Sequence, residues 1–182
     1  MSPWTLFKPD PNAASAARLY DAIVTQARQP DFYVAGGVPD SIDGRFEMIA
    51  LHGYLLLRRL RAAGDAAETL AQALVDRLFA DMDASLREMG AGDLGVGKRV
   101  KRMATAFYGR IAAYESAEKR GGMPEALARN LFGTANPTPA QLAGMSAYVE
   151  GSQAALAIQP LSEIAAAQLN FPPPRFGSEA PT

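Results

Sequence analysis

The stretch from Phe79 to Tyr114 constrains this chain more than any other. Leading into it, apolar side chains recur as Leu70, Leu74, Leu78, Met82, Leu86 and Met89, with Val75 and Phe79 widening the stripe. Residues three and four apart share one face of an α-helix, whereas a strand alternates at every second residue, so this spacing predicts a helix. The same period resumes as Val96, Val100, Met103, Phe107, Ile111 and Tyr114. Between the two runs Gly90, Gly92, Gly95 and Gly97 crowd into eight residues. That density reads as a hinge whose backbone takes positive φ or approaches another segment closely. A helix from Val96 to Lys119 would be roughly 36 Å long at 1.5 Å per residue. Two such helices joined by a turn form an αα-hairpin, around which the rest of the chain is expected to pack.

The flanking segments extend the pattern. Leu19, Tyr20, Ile23 and Ala27 predict a first helix from Asn12 to Gln29, ended before Pro30. Residues 31–46 read as a loop, because Gly36, Gly37, Pro39, Asp40 and Gly44 interrupt them. Asp43 is placed to cap a second helix, from Arg45 to Ala63, with Phe46, Ile49, Gly53, Leu56 and Leu60 on its core side. Gly64 ends it. Asp65 and Glu68 have the spacing of a capping box and open the third helix, and Asp93 is placed to cap the fourth, which stops at Gly121-Gly122. Pro124 starts a fifth helix to Phe132, and Thr138-Pro139 with Gln141 starts a sixth to Ile158. Residues 161–169 add a turn or two. With no strand pattern, the expected fold is all-α: a single-domain bundle of six or seven helices with a central long αα-hairpin, spanning residues 12–170. An arm (1–11) precedes it, and a proline-rich tail (171–182) follows, whose three consecutive prolines cannot join a packed helix. A chain of 182 residues suits one such domain.

Composition narrows the chemistry. A net charge of −1 gives no global attraction to nucleic acid or anionic lipid, so any electrostatic function must be local. Without cysteine there is no disulfide framework, thiolate nucleophile or cysteine metal site. His52 is the only histidine, which leaves no multi-histidine metal site; beside an apolar face it reads as a partly buried, hydrogen-bonded residue. No G-x-S-x-G elbow is present, and neither a cofactor nor a metal is expected. The N-terminus has no basic-then-apolar leader, and no stretch approaches the roughly 18 uncharged apolar residues of a spanning helix. The expected location is the cytoplasm, with peripheral attachment at the inner face of the cytoplasmic membrane as the variant. Gly90-x-Gly92-x-x-Gly95 and Gly92-x-x-x-x-Gly97-Lys98 match nucleotide-binding letters, but a helix rather than a strand precedes them. Arg99 also stands where a magnesium-holding Ser or Thr belongs.

Charged residues in the hairpin have specific expected uses. Asp81 and Asp83 lie two apart, so on a regular helix they point about 200° away from each other and cannot share a ligand. Asp83 precedes Arg87 by four, the favourable order for a surface pair worth roughly 0.3 to 0.5 kcal/mol. Asp81 borders the apolar stripe, within reach of a basic residue on a partner helix. Lys98, Lys101 and Arg102 fall within about 100° of one another on a wheel and, with Arg99, form a basic stripe. Such a stripe is a solvated face, or it meets ribosomal RNA or a headgroup layer. Gly109 sits inside a strong helix at a cost of roughly 1 kcal/mol, which predicts close approach of another segment, with Gly53 as its counterpart.

The same residues carry a family resemblance. Phe32-Tyr33, Gly37-Val38-Pro39-Asp40, Gly44-Arg45-Phe46-Glu47, Leu51-His52 and above all the run from Asp81 to Arg110 (DMDASLREMGAGDLGVGKRVKRMATAFYGR) resemble bacterial-type members of the ubiquinol–cytochrome c chaperone family. Ala91 stands where that family usually has a bulkier apolar residue. The resemblance implies a non-enzymatic assembly factor for the cytochrome bc1 complex, which binds newly made cytochrome b near the ribosome and inner membrane together with a small partner protein. Carried onto this sequence, it makes Tyr33, Asp40, Arg45 and Phe46 of the loop candidates for a client surface. From the hairpin it adds Asp81, Asp83, Arg87, Glu88, Asp93, Lys98, Lys101 and Arg110. A groove of Met82, Met89, Met103, Phe107 and Tyr108 would suit an apolar client, since methionine adapts to varied surfaces, although the same residues are equally ordinary core. Two other functions fit the residues: an α-helical enzyme or carrier for a quinone-like or isoprenoid-like ligand, using Asp81, Asp83 and Arg87, and a scaffold retained in an assembly.

Overall fold

The computed structural model describes residues 11–88, 93–133 and 135–176, which form eight helices and no strand. In chain order these are α1 (Pro11–Ala27), α2 (Pro30–Val34), α3 (Ile42–Ala62), α4 (Asp65–Glu88), α5 (Asp93–Arg120), α6 (Met123–Asn130), α7 (Pro139–Ile158) and α8 (Leu161–Ala165). The all-α bundle and the α4–α5 hairpin form as the apolar spacing requires. The arm through Asp10, residues 89–92 with Met89, Gly90, Ala91 and Gly92, and the side chain of Asp93 lie outside the described residues.

Several boundaries move for local reasons. Residues 31–46 are not all loop, because Pro30 opens the five-residue α2 with its φ already fixed for a first helical position. The cap of α3 is Ser41 rather than Asp43: its hydroxyl accepts from the Gly44 amide at 3.1 Å, and Asp43 falls inside the first turn. Asp65 likewise begins α4 instead of standing before it. At α7 the capping box is complete, with Gln141 N donating to Thr138 Oγ1 at 3.2 Å and Thr138 N donating to Gln141 Oε1 at 2.9 Å. Gly95 and Gly97 are no part of a hinge. They lie in the opening turns of α5, exposed, with open space where a Cβ would stand.

The axis of the core is α3, which packs against α1, α4, α5 and α7. Because neighbours surround it, burial extends round most of its circumference: Met48, Leu51, Tyr54, Leu55, Leu56 and Leu60 are all buried. Phe46 and Ile49, expected on its core side, are only half-buried near its N-terminal end. Gly53 makes room for the Phe107 ring, whose nearest atom would lie 3.1 Å from an added Cβ. It therefore serves Phe107 of α5 and not Gly109, which is exposed with nothing within 4 Å. No close approach compensates Gly109. Gly109→Ala is accordingly expected to stabilise the protein by about 0.5 to 1 kcal/mol, read as a higher urea midpoint at unchanged slope.

The residues after α8 lie on the bundle without continuing a helix. Phe171 meets the His52 ring edge-on with centroids 5.1 Å apart, and Phe176 meets Phe32 at 6.2 Å. Pro174 is buried between them. His52, expected to be partly buried, is fully enclosed by this packing.

Candidate functional site

The N-terminal end of α3, the facing sides of α4 and α5 and the end of α6 surround a groove of about 740 Å³. Its first wall is built by a turn. Gly44 lets the chain fold so tightly that the Pro39 carbonyl occupies the space of a Cβ, and the turn places Arg45 and Phe46 at the groove. The Arg45 guanidinium donates to Asp40 Oδ1 at 2.7 Å on the rim, and this hydrogen bond holds the Asp40 carboxyl below its ordinary value. One turn inward, Arg110 of α5 donates to both carboxylate oxygens of Glu47 at 2.7 to 3.0 Å. Glu47 is nearly buried, so this two-pronged pair joins the start of α3 to α5, and the bond to Glu47 raises the Arg110 pKa. The second wall is tied similarly. Tyr20 of α1 donates to Asp81 Oδ2 of α4 at 2.7 Å, and burial, followed by that carboxylate, pushes the Tyr20 phenol up.

Apolar side chains from three helices make the floor: Phe46 and Ile49, Met82 and Leu86, and Met103. Around them stand Arg28 after α1, Arg99 and Arg102 of α5 and Arg129 of α6, all exposed and, among the described residues, none within 4 Å of a carboxylate. Glu47 is held by Arg110 and Asp81 by Tyr20 within the groove itself, which leaves Asp43 as the only other carboxylate lining it among the described residues.

Of the residues singled out from sequence, Arg45, Phe46, Asp81, Met82, Met103 and Arg110 line this groove. Asp40 sits at the rim through Arg45. Tyr33 is near in sequence but donates to the Ala27 carbonyl at 2.7 Å, bracing α2 on α1. Asp81 finds Tyr20 and, at 3.6 Å, Arg77 of its own helix instead of a base on the partner helix, while Asp83 makes the expected pair with Arg87 at 2.7 Å. The two aspartates thus diverge, and only Asp81 reaches the groove. Glu88, Lys98 and Lys101 are exposed beyond the groove lining.

The proposed methionine–aromatic surface is divided. Met82 and Met103 belong to the groove, Phe107 is fully buried against Gly53 and Phe79, and Tyr108 is about half exposed beside a separate hollow of about 690 Å³ with Leu57 and Val75. Both rings meet Phe79 at 5.8 Å, but the roughly 100° step between consecutive helical residues turns Phe107 under α3 and leaves Tyr108 towards solvent. Sequence reasoning missed Arg28, Arg129 and Ile42, and placed Leu86 on the apolar stripe without assigning it to a site. Arg28 and Arg129 belong to no local pattern, and only the folding of α6 beside the hairpin brings them to one rim.

Most of the groove lining, though not Tyr20 or Arg28, falls within a matched family profile. The profile described as Ubiquinol-cytochrome C chaperone matches residues 34–171. The chain belongs to that family. Ubiquinol-cytochrome c reductase complex assembly factor 1 of Mus musculus is 25% identical over 137 residues, covering 74% of this chain and 46% of the mouse protein. The Xenopus laevis factor is 23% identical over 137 residues, covering 74% of this chain and 68% of its own length. The chain thus spans about half the mouse relative and two thirds of the frog one. In three dimensions the fold is similar to the crystal structure of the Cbp3 homolog from Brucella abortus, with a TM-score of 0.77 and 37% identity, covering 90% of this chain and 91% of the other. Among the described residues no helix is long and apolar enough to cross a membrane.

Proposed function

We propose that this chaperone-family chain is a non-enzymatic assembly factor for the cytochrome bc1 complex, and that its groove holds an apolar segment of newly made cytochrome b. The observation that carries this reading is the groove, most of whose lining comes from residues 39–49 and the α4–α5 hairpin, with α1 and the end of α6 completing it. Its floor of half-buried Phe46, Ile49 and Met103 beside Met82 and Leu86 offers apolar surface that a client side chain would cover, and its volume is that of a binding pocket. Lys98 and Lys101 extend basic charge along the exposed face of α5, which suits attachment to a ribosome or to anionic headgroups at the inner face of the membrane. Divergence of Asp81 and Asp83 deprives the quinone or isoprenoid alternative of its paired carboxylates.

A photo-crosslinking amino acid at position 103, introduced in cells that are synthesising bc1 subunits, is expected to capture immature cytochrome b. Phe46→Asp is expected to lower both that capture and the yield of mature complex about tenfold while the helical circular dichroism is retained. Full assembly of the complex in cells lacking this chain, or capture that ignores Phe46→Asp, would overturn the proposal.

A further inference from the structure

We infer that the groove selects its client by charge, taking an apolar segment flanked by carboxylates and rejecting one flanked by lysine or arginine. The inference rests on the groove being the client site. Among the described residues six arginines line it against three carboxylates, in a chain whose net charge is −1. Arg45 and Arg110 are satisfied by Asp40 and Glu47. Among the described residues Arg28, Arg99, Arg102 and Arg129 have no carboxylate partner, and they come from the end of α1, from α5 and from α6, so positive charge stands at separate points around one apolar floor.

A partner that matches must present apolar surface in its middle and negative charge at more than one place on its margin. An apolar peptide segment with acidic flanks has that form. A single lipid headgroup concentrates its charge at one end, and RNA offers no apolar body for Phe46, Met82 and Met103. Among the described residues no lysine lines the groove, and the planar guanidinium is the group that pairs with a carboxylate through two parallel hydrogen bonds. The preference has a consequence for a membrane-protein client. The cytoplasmic loops of such proteins are rich in lysine and arginine. Like charge would expel those segments from this groove, so it would bind only selected parts of the nascent chain.

The test uses the full chain and three labelled peptides with one common apolar core and flanks of glutamate, glutamine or lysine. Fluorescence anisotropy at low salt is expected to show the glutamate peptide binding about tenfold more tightly than the lysine peptide. Added salt, or the combined substitution Arg99→Gln/Arg102→Gln/Arg129→Gln, should shrink that ratio towards one in protein whose melting is unchanged. Equal binding of all three peptides would overturn charge selection and leave the apolar groove standing. If no peptide binds, the groove reading fails as well. Binding to phosphatidylglycerol vesicles that is lost in the arginine variant, without competition from the glutamate peptide, would make this a lipid site and also overturn the inference.

Discussion

Gly44→Ala is expected to destabilise this protein by about 3 kcal/mol or more, in spite of adding only a methyl group. The added Cβ would lie 1.9 Å from the Pro39 carbonyl oxygen and 3.0 Å from its carbon. Both are backbone atoms, so no side chain can swing aside; the turn from Pro39 to Ser41 must move. That turn also supplies the cap of α3, where the Gly44 amide donates to Ser41 Oγ. Displacing it forfeits the cap, worth about 1 kcal/mol, and shifts Arg45 and Phe46 out of the groove wall. Urea unfolding measures the loss, and client capture by the remaining folded fraction should fall with it. An unchanged midpoint would show that the turn does not hold the Pro39 carbonyl against Gly44. The contrast with Gly109→Ala, expected to stabilise, separates a glycine required by close backbone approach from one that merely loosens a helix.

Acidification is expected to remove about 3 kcal/mol of stability through His52 alone. Its Nδ1 lies 2.8 Å from the Met48 carbonyl, which only accepts, so Nδ1 carries the proton and Nε2 accepts from the Tyr148 hydroxyl at 2.7 Å. The Tyr148 oxygen in turn accepts from Gln26 at 3.0 Å, linking α3, α7 and α1 through neutral groups. Burial lowers the His52 pKa from 6.5 to about 4, against a smaller upward pull from the Met48 carbonyl. Phe32 and Phe171 close over the ring edge-on.

The sign follows from where protons bind. Below pH 6.5 the unfolded chain takes up a proton at this residue, while the folded one resists until about pH 4. The contribution is therefore complete above 6.5 and is lost as pH falls through that interval. Thermal melts across this range should show a steeper decline for the wild type than for His52→Gln, which has nothing to titrate there. Parallel declines would mean that carboxylates alone account for the acid sensitivity.

Much of this architecture is legible in the chain itself, because helix formation is set by residues within a few positions of one another. Apolar spacing of three and four located both arms of the hairpin, and Thr138, Pro139 and Gln141 announced the start of α7, since a capping box needs only four consecutive residues. The stretch from Asp81 to Arg110 likewise carried the family. Local spacing could not say which helix would be surrounded. It marked Phe46 and Ile49 as core, and they lie half-open at the groove, whereas Phe107 vanished beneath α3 because Gly53 left room for its ring.

The candidate site depended most on tertiary structure. Arg28, the Arg99 and Arg102 pair, and Arg129 span about a hundred residues of chain, and no periodicity relates the three positions. They share a rim because α1, α5 and α6 converge there. The long helices could be read from the chain alone, through short-range hydrogen bonding and periodic burial, and the family from its motif residues, while the short α2 could not. Which apolar residues remain open, and which positive charges have no carboxylate partner among the described residues, depends on neighbours distant in the chain and so followed from packing.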